Sequence, residues 1–218
     1  MELATGRGAN SFYLAKKFPG IDFSGIDISD GQLVYALKKA VHVKNYHPQY
    51  GDYHDLSRFR SSTFDVAFVV EALCYSTRKE KVLAEVFHVL RGGGLFVVFD
   101  GYVAPRIEVE DETAIQLTEK GMAVPKFESY DSFVRKAKQA GFKITHEENV
   151  SSYVVPTMER FSKLASIFFG FPRLARFVAK LLPKEFAYNA VSGFLMPELV
   201  KSGLAQYMIT VLKKEITK

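Results

Sequence analysis

The stretch MELATGRGANSF, residues 1–12, places two glycines, Gly6 and Gly8, behind an acidic residue, Glu2. Glycines in a strand-to-helix turn let the backbone approach a ligand with no side chain in the way. A second acidic residue, Asp27, stands 19 residues after Gly8, at the end of the strand-like run FSGIDIS (23–29). A glycine turn followed by a carboxylate at this distance suits a nucleoside, with Asp27 placed to accept hydrogen bonds from ribose hydroxyls. The spacing departs from the dinucleotide fingerprint G-x-G-x-x-G, because Ser11 occupies the third glycine position.

Outward from this loop, apolar runs alternate with helical patterns. DGQLVYALKKAV (30–41) has Leu33, Ala36, Leu37 and Ala40 at helical spacing. FDVAFVVEAL (64–73) is nearly all apolar, as in a strand buried on both faces. KEKVLAEVFHVL (79–90) predicts a helix carrying His88, stopped by Gly92, Gly93 and Gly94, and LFVVFDGY (95–102) predicts another buried strand. SYDSFVRKAKQAGF (129–142) predicts a helix ending at Gly141, KITHEENV (143–150) a strand, and LAQYMITVLKK (204–214) a closing strand. This order predicts an α/β fold, a doubly wound sheet with ligands at the carboxyl ends of its strands. The acidic connection from 103 to 128 predicts a mobile loop. The expected division is an α/β core at 1–155, a helical aromatic and basic insertion at 156–203, and a closing strand at 204–218.

A chain of 218 residues with 48% hydrophobic and 24% charged residues has an ordinary globular composition. No apolar run reaches the ~18 residues of a membrane span, which predicts a soluble intracellular protein. The lone cysteine, Cys74, excludes an internal disulfide and a cysteine-rich metal site, and a buried position suits it better than a reactive one. A net charge of +5 is a mild bias toward anionic partners. The α/β part shows no basic patch interleaved with stacking aromatics, which disfavours nucleic acid.

Five segments in order, ELATGRGANSFYLA, GIDIS, GDYHDL, FDVAFVVEALCYS and VLRGGGLFVVFDGY, resemble the successive motifs of class I S-adenosylmethionine-dependent methyltransferases across residues 2–102. VVEALCYS followed by VLRGGG is most similar to the small-molecule branch of sterol C-, tocopherol and phosphoethanolamine-type methyltransferases. The resemblance implies a Rossmann-like sheet with helices on both faces, S-adenosyl-L-methionine as cofactor and S-adenosyl-L-homocysteine as product. By position, it implies that Glu2 meets the methionine amino group and that the backbone at Ala4, Gly6 and Gly8 passes beneath the cofactor. Asp27 would then hold the ribose, Ile28 the adenine face, Asp52 with Tyr53 the adenine amino group, and Glu71 would face the sulfonium and substrate. Ala4 departs from the family's first glycine. Asp52 also reads as a plain turn residue after Gly51. The order of GDYHDL disfavours a nicotinamide-dependent reductase.

In that fold the strand ending at Glu2 is central, yet only Met1 precedes it. Unpaired backbone groups beside a missing central strand cost about 1–3 kcal/mol each when buried. The expectation is a sheet truncated at its first strand, in which residues 1–5 still add a short strand between those ending near Asp27 and Glu71. Methyl transfer is an in-line displacement that rests on alignment. An alkene acceptor would draw on Glu71 and Tyr75 to stabilise a carbocation, a hydroxyl would need a base such as His54, and an amine would need none. The stretch from Pro156 to Pro183 is aromatic and basic, with Leu174, Phe177, Val178, Leu181 and Leu182 on one helical stripe and Arg173, Arg176, Lys180 and Lys184 on another face. It suits a lid over a lipophilic acceptor, a surface resting peripherally on a membrane, or an ordinary covering helix. The rival reading is a non-catalytic module that binds a membrane or partner through 156–184. The sequence leaves the oligomeric state open.

Overall fold

The computed structural model describes residues 1–105, 109–171 and 184–216. They form two compact units, the first comprising Met1–Asp100, Val134–Glu147 and Ile209–Lys218, the second Gly101–Phe133 and Glu148–Met208.

The first unit is built on a sheet whose strands are β1 (Glu2–Leu3), β2 (Phe23–Asp27), β3 (Tyr46–Tyr50), β4 (Phe64–Val70), β5 (Leu90–Val103), β6 (Phe142–Asn149) and β7 (Ala205–Lys214). Their order is β3-β2-β1-β4-β5-β7-β6, and the pairings β1–β2, β1–β4, β2–β3 and β4–β5 are parallel. The order reverses between β1 and β4, so the crevice at the carboxyl ends of these strands is the topological switch point. The expected short strand is present: Glu2 pairs with Gly25 on one side and Phe68 on the other.

Helices α2 (Asp30–Ala40), α3 (Lys79–Val89) and α5 (Tyr130–Gln139, mostly in this unit) follow their predicted positions, α1 (Ala9–Lys17) follows the glycine turn, and α4 (Val109–Met122) arises in the segment expected to be a loop. Ser29 caps α2 by accepting from the Gln32 amide. Within α2, Leu33 and Ala36 are buried as predicted, but Leu37 is 53% exposed, because its position lies at the flank of the apolar face. Helix α3 ends before the three glycines: Leu90 is already extended and opens β5, so the strand itself terminates the helix. In β4 the two faces differ, Ala67 and Val69 being fully buried while Val66 is 43% exposed.

Strand β3 escaped the sequence reading because Pro48 interrupts it. As the sheet's edge it needs partners on one side only, which is where proline is tolerated. Tyr46 of β3 packs with Ala15, Phe23 and Ala36 into a cluster joining α1, α2 and β2.

In the second unit, α4 buries Ile115 against Val103 and against Leu199 of α7 (Lys184–Lys201). A Cβ added at Gly121 of α4 would collide with the Tyr188 carbonyl and with Ser192, so glycine lets α4 and α7 approach closely. Helix α6 (Ser151–Gly170) accommodates Pro156 in its second turn. The stripe Leu174, Phe177, Val178, Leu181 and Leu182, and the cations Arg173, Arg176 and Lys180, lie outside the described residues, as does the side chain of Lys184.

Candidate active site

The loop between β1 and α1 turns left-handed at three alternate residues, Ala4 (φ 51°), Gly6 (φ 55°) and Gly8 (φ 71°). A non-glycine residue in that conformation costs about 1–2 kcal/mol, so Ala4 bears the strain the family's usual glycine avoids. Gly8 is also hemmed in: an added Cβ would stand 2.5 Å from the Tyr46 hydroxyl oxygen and 3.0 Å from Ala36 Cβ. Gly8→Ala should destabilise the protein by about 2–3 kcal/mol, read as a lowered thermal midpoint. At Gly6 an added Cβ would meet nothing within 4 Å. Its backbone therefore borders open space, as a cradle for a ligand requires.

Glu2 holds this loop in shape. Its side chain is 2% exposed, and its carboxylate accepts from Thr5 Oγ1 (2.6 Å), Ser11 Oγ (2.5 Å) and Asn10 Nδ2 (3.0 Å). These three bonds give Glu2 a scaffolding part in the loop, and Oε1, with one donor, keeps acceptor capacity for the expected methionine amino group. Ser11, the departure from the dinucleotide fingerprint, is a member of the clasp. Tyr46 joins it through Thr5 Oγ1 at 2.9 Å. Thr5 directs its proton to Glu2, so the tyrosine hydroxyl is the donor. Burial pushes the Tyr46 phenol up to about 12, which keeps that proton in place.

Asp27 ends β2 with its carboxylate turned back on the glycine loop. Oδ2 accepts from the Gly6 amide at 2.8 Å and Oδ1 from the Ser29 amide at 2.8 Å. Ile28, next in the chain, is 64% exposed and presents an apolar side chain at the strand end.

The third element is the loop after β3. Asp52 Oδ1 accepts from the His54 amide and from His54 Nδ1, both at 2.8 Å. Partial burial raises the Asp52 carboxyl, but the hydrogen bonds from His54 outweigh it and hold the group below its ordinary range. Tyr53 donates to the Ala72 carbonyl at 3.2 Å, and burial pushes its phenol up to about 12. His54 Nε2 pairs with Ser76 Oγ at 2.8 Å. Both ring nitrogens of His54 are thus engaged, one with a carboxylate and one with a hydroxyl.

The fourth element is the turn after β4. Glu71 adopts φ 51° and is exposed at the strand end. Tyr75, in the 3₁₀ turn Leu73–Tyr75, is 44% exposed, and burial of the rest raises its phenol. Cys74 is buried, and burial followed by the Asp100 carboxylate raises its thiol, so it stays protonated and unreactive. Asp100 itself, 3% exposed at the end of the apolar run of β5, accepts from the Cys74 amide at 2.9 Å. A lone carboxylate near the end of LFVVFDGY is its sequence signal.

The residues expected at the site, from Ala4 to Gly8, Asp27 and Ile28, Asp52 to His54, and Glu71 to Tyr75, all follow the carboxyl ends of the adjacent strands β1 to β4. His88, by contrast, is an exposed residue of α3. Among the described residues no group of three His, Cys, Asp or Glu side chains is arranged to hold a metal ion. In the α/β part three cations lie over aromatic rings: Arg7 4.6 Å over Tyr35, Lys16 5.4 Å over Phe12 and Lys17 5.9 Å over Tyr13. Two of these pairs are four residues apart, a proximity that appears only once α1 is helical.

Residues 1–98 match a family model described as a methyltransferase domain. The chain is 27% identical over 219 residues to sterol methyltransferase-like 1 of Botryococcus braunii, covering 93% of this chain and 55% of that one. It is 32% identical over 97 residues to 24-methylenesterol C-methyltransferase 2 of Arabidopsis thaliana, covering 43% of this chain and 27% of that one. The chain spans about half the length of the sterol methyltransferase-like relatives it matches. In fold it is similar to geranyl diphosphate C-methyltransferase of Streptomyces coelicolor A3(2), solved with Mg²⁺, geranyl diphosphate and S-adenosyl-L-homocysteine (TM-score 0.75, 14% identity, 98% of this chain and 71% of that one). Motif order, strand order and family match agree that residues 1–98 carry a methyltransferase domain.

Proposed function

We propose that this chain binds S-adenosylmethionine across the carboxyl ends of β1, β2 and β3 and methylates a small lipophilic acceptor presented at the end of β4. The observation that carries the cofactor reading is the Asp27 carboxylate at 2.8 Å from the Gly6 amide, beside a backbone that borders open space. The residues fit the group: left-handed backbone at Ala4, Gly6 and Gly8 for the methionine part, Asp27 for the ribose hydroxyls, Ile28 for the adenine face, and Asp52 with Tyr53 for the adenine amino group. When bound, S-adenosylmethionine supplies an electrophilic methyl group on a positive sulfonium.

The chain's own residues then align the acceptor and stabilise charge. Glu71 and Tyr75 present a carboxylate and an aromatic ring at the strand end, groups that favour a neighbouring positive charge. An acceptor that attacks through an alkene π bond or an amine lone pair needs no base at the site. The names of the sterol-type relatives support the alkene. Purified protein incubated with methyl-labelled S-adenosylmethionine should transfer label to a sterol-type alkene or a prenyl diphosphate in preference to phosphoethanolamine. Label on none of these, with the cofactor bound, would favour the non-catalytic reading.

A second reading concerns the surface of the second unit. On α6, Phe161, Leu164 and Ile167 recur at helical spacing and are 59%, 64% and 61% exposed. Arg160 and Lys163 are exposed beside them, the composition of an interfacial helix that rests on an anionic bilayer. No helix among the described residues is long and apolar enough to cross a membrane. Phe161→Ser with Leu164→Ser should lower co-sedimentation with phosphatidylserine-containing vesicles at least about tenfold. Unchanged partition removes this reading.

A further inference from the structure

The His54 imidazole joins two parts of the site that the proposed function assigns to different substrates. On one side lies Asp52, whose Oδ1 takes both His54 hydrogen bonds while Oδ2 carries none among the described residues. With a side chain 49% exposed, Asp52 therefore has one oxygen for His54 and one for a nucleobase amino group. On the other side lies Ser76, 3% exposed at the end of the turn that bears Tyr75.

The donor and acceptor roles close consistently for one tautomer of the ring. Nδ1–H donates to the Asp52 carboxylate, which leaves Nε2 to accept from the Ser76 hydroxyl, while Ser76 Oγ accepts from the Arg78 amide at 3.1 Å. The backbone of the turn is fixed at several further points. Tyr53 holds the Ala72 carbonyl, Asp100 the Cys74 amide, and Lys79 Nζ the Ser76 carbonyl at 2.9 Å. Among these struts, the one through His54 ends on a carboxylate that faces the adenine end of the cofactor site.

We propose that His54 is a positioning residue which, through Asp52 and Ser76, couples occupation of the adenine site to the placement of the acceptor-facing turn at Leu73–Tyr75. The proposal rests on the cofactor reading above. Ligation at Asp52 Oδ2 draws that carboxylate toward the nucleobase, His54 follows its hydrogen bonds, and Ser76 transmits the shift to the turn. Coupling of this kind needs no contact between the two substrates.

The chain contains no tryptophan, so Tyr75→Trp places a single reporter on the turn. In that background, saturating S-adenosylhomocysteine should shift the emission of the introduced indole. His54→Ala and, separately, Ser76→Ala should each reduce that response by more than about half while changing affinity by less than about threefold, since Asp52 stays in place. His54→Gln, whose amide can still reach the serine hydroxyl, should recover part of the response. An emission that does not move on saturation, or that moves as far in both alanine variants as in the Tyr75→Trp parent, overturns the coupling. Calorimetry on the unsubstituted protein separates the two readings. Absence of any binding there overturns the cofactor reading and this inference together, whereas binding with an emission response that neither alanine variant alters overturns this inference alone.

Discussion

Asp27→Ala lowers the affinity for S-adenosylhomocysteine by at least about a hundredfold. The carboxylate acts at two levels. It accepts from the Gly6 and Ser29 amides at 2.8 Å each, which fixes the glycine loop against the end of β2. It also offers its remaining lone pairs to the ribose hydroxyls. A hydrogen bond to a charged group contributes about 1.5–3 kcal/mol, and losing two of them amounts to about two orders of magnitude in affinity. Asn in place of Asp keeps the shape but turns an amide N–H₂ toward one of two N–H donors, so Asp27→Asn should fall between wild type and alanine. Titration calorimetry measures both. A thermal midpoint recorded in parallel separates lost binding from lost fold, and affinity of Asp27→Ala within about threefold of wild type would contradict the assignment.

Glu2→Ala destabilises the fold by about 4–5 kcal/mol, the largest stability effect expected in the chain. The substitution leaves the hydroxyls of Thr5 and Ser11 and the Asn10 amide without their acceptor, in surroundings where Thr5 is 5% and Ser11 0% exposed. Removing one partner of a buried charged network costs about 3–5 kcal/mol, and the cavity left by the side chain adds to that. For a chain of this size, 1 kcal/mol corresponds to about 2–4 °C, so the midpoint should drop by more than about 8 °C. Glu2→Gln should lose less, because its amide oxygen still accepts on one side. Differential scanning calorimetry of the three proteins checks the order. A Glu2→Ala midpoint within about 2 °C of wild type would show that the clasp does not hold the loop.

What the sequence made legible follows from the range of the forces involved. Strands β2, β4, β5 and β7 and helices α2, α3 and α5 carry their own period and turn residues, so local patterning suffices to place them. Strand β3 does not, because Pro48 reads as a breaker until the strand is known to lie at a sheet edge. Helix α4 does not either: its acidic residues mask the spacing by which Ile115 reaches Leu199, a contact between segments far apart in the chain.

At the candidate site the same division holds. Gly6, Gly8 and Asp27 are readable together because a loop and the end of the next strand must meet wherever a βαβ unit forms. The clasp around Glu2 is not, since serine at position 11 looks like a lost glycine until its hydroxyl is seen on the carboxylate. The contact between His54 and Ser76 is not readable either, since the two lie 22 positions apart. Asp100 was hidden by the apolar run that buries it.

The central claim is that a nucleoside lies on the ends of β1, β2 and β3 with its sugar on Asp27. A crystal structure of the protein soaked with S-adenosylhomocysteine tests it most directly. Ribose hydroxyls are expected within hydrogen-bond distance of the Asp27 carboxylate, adenine against Ile28 and its amino group at Asp52. Density for the nucleoside elsewhere on the molecule, with Asp27 still holding Gly6 and Ser29 but touching no ligand, would contradict it.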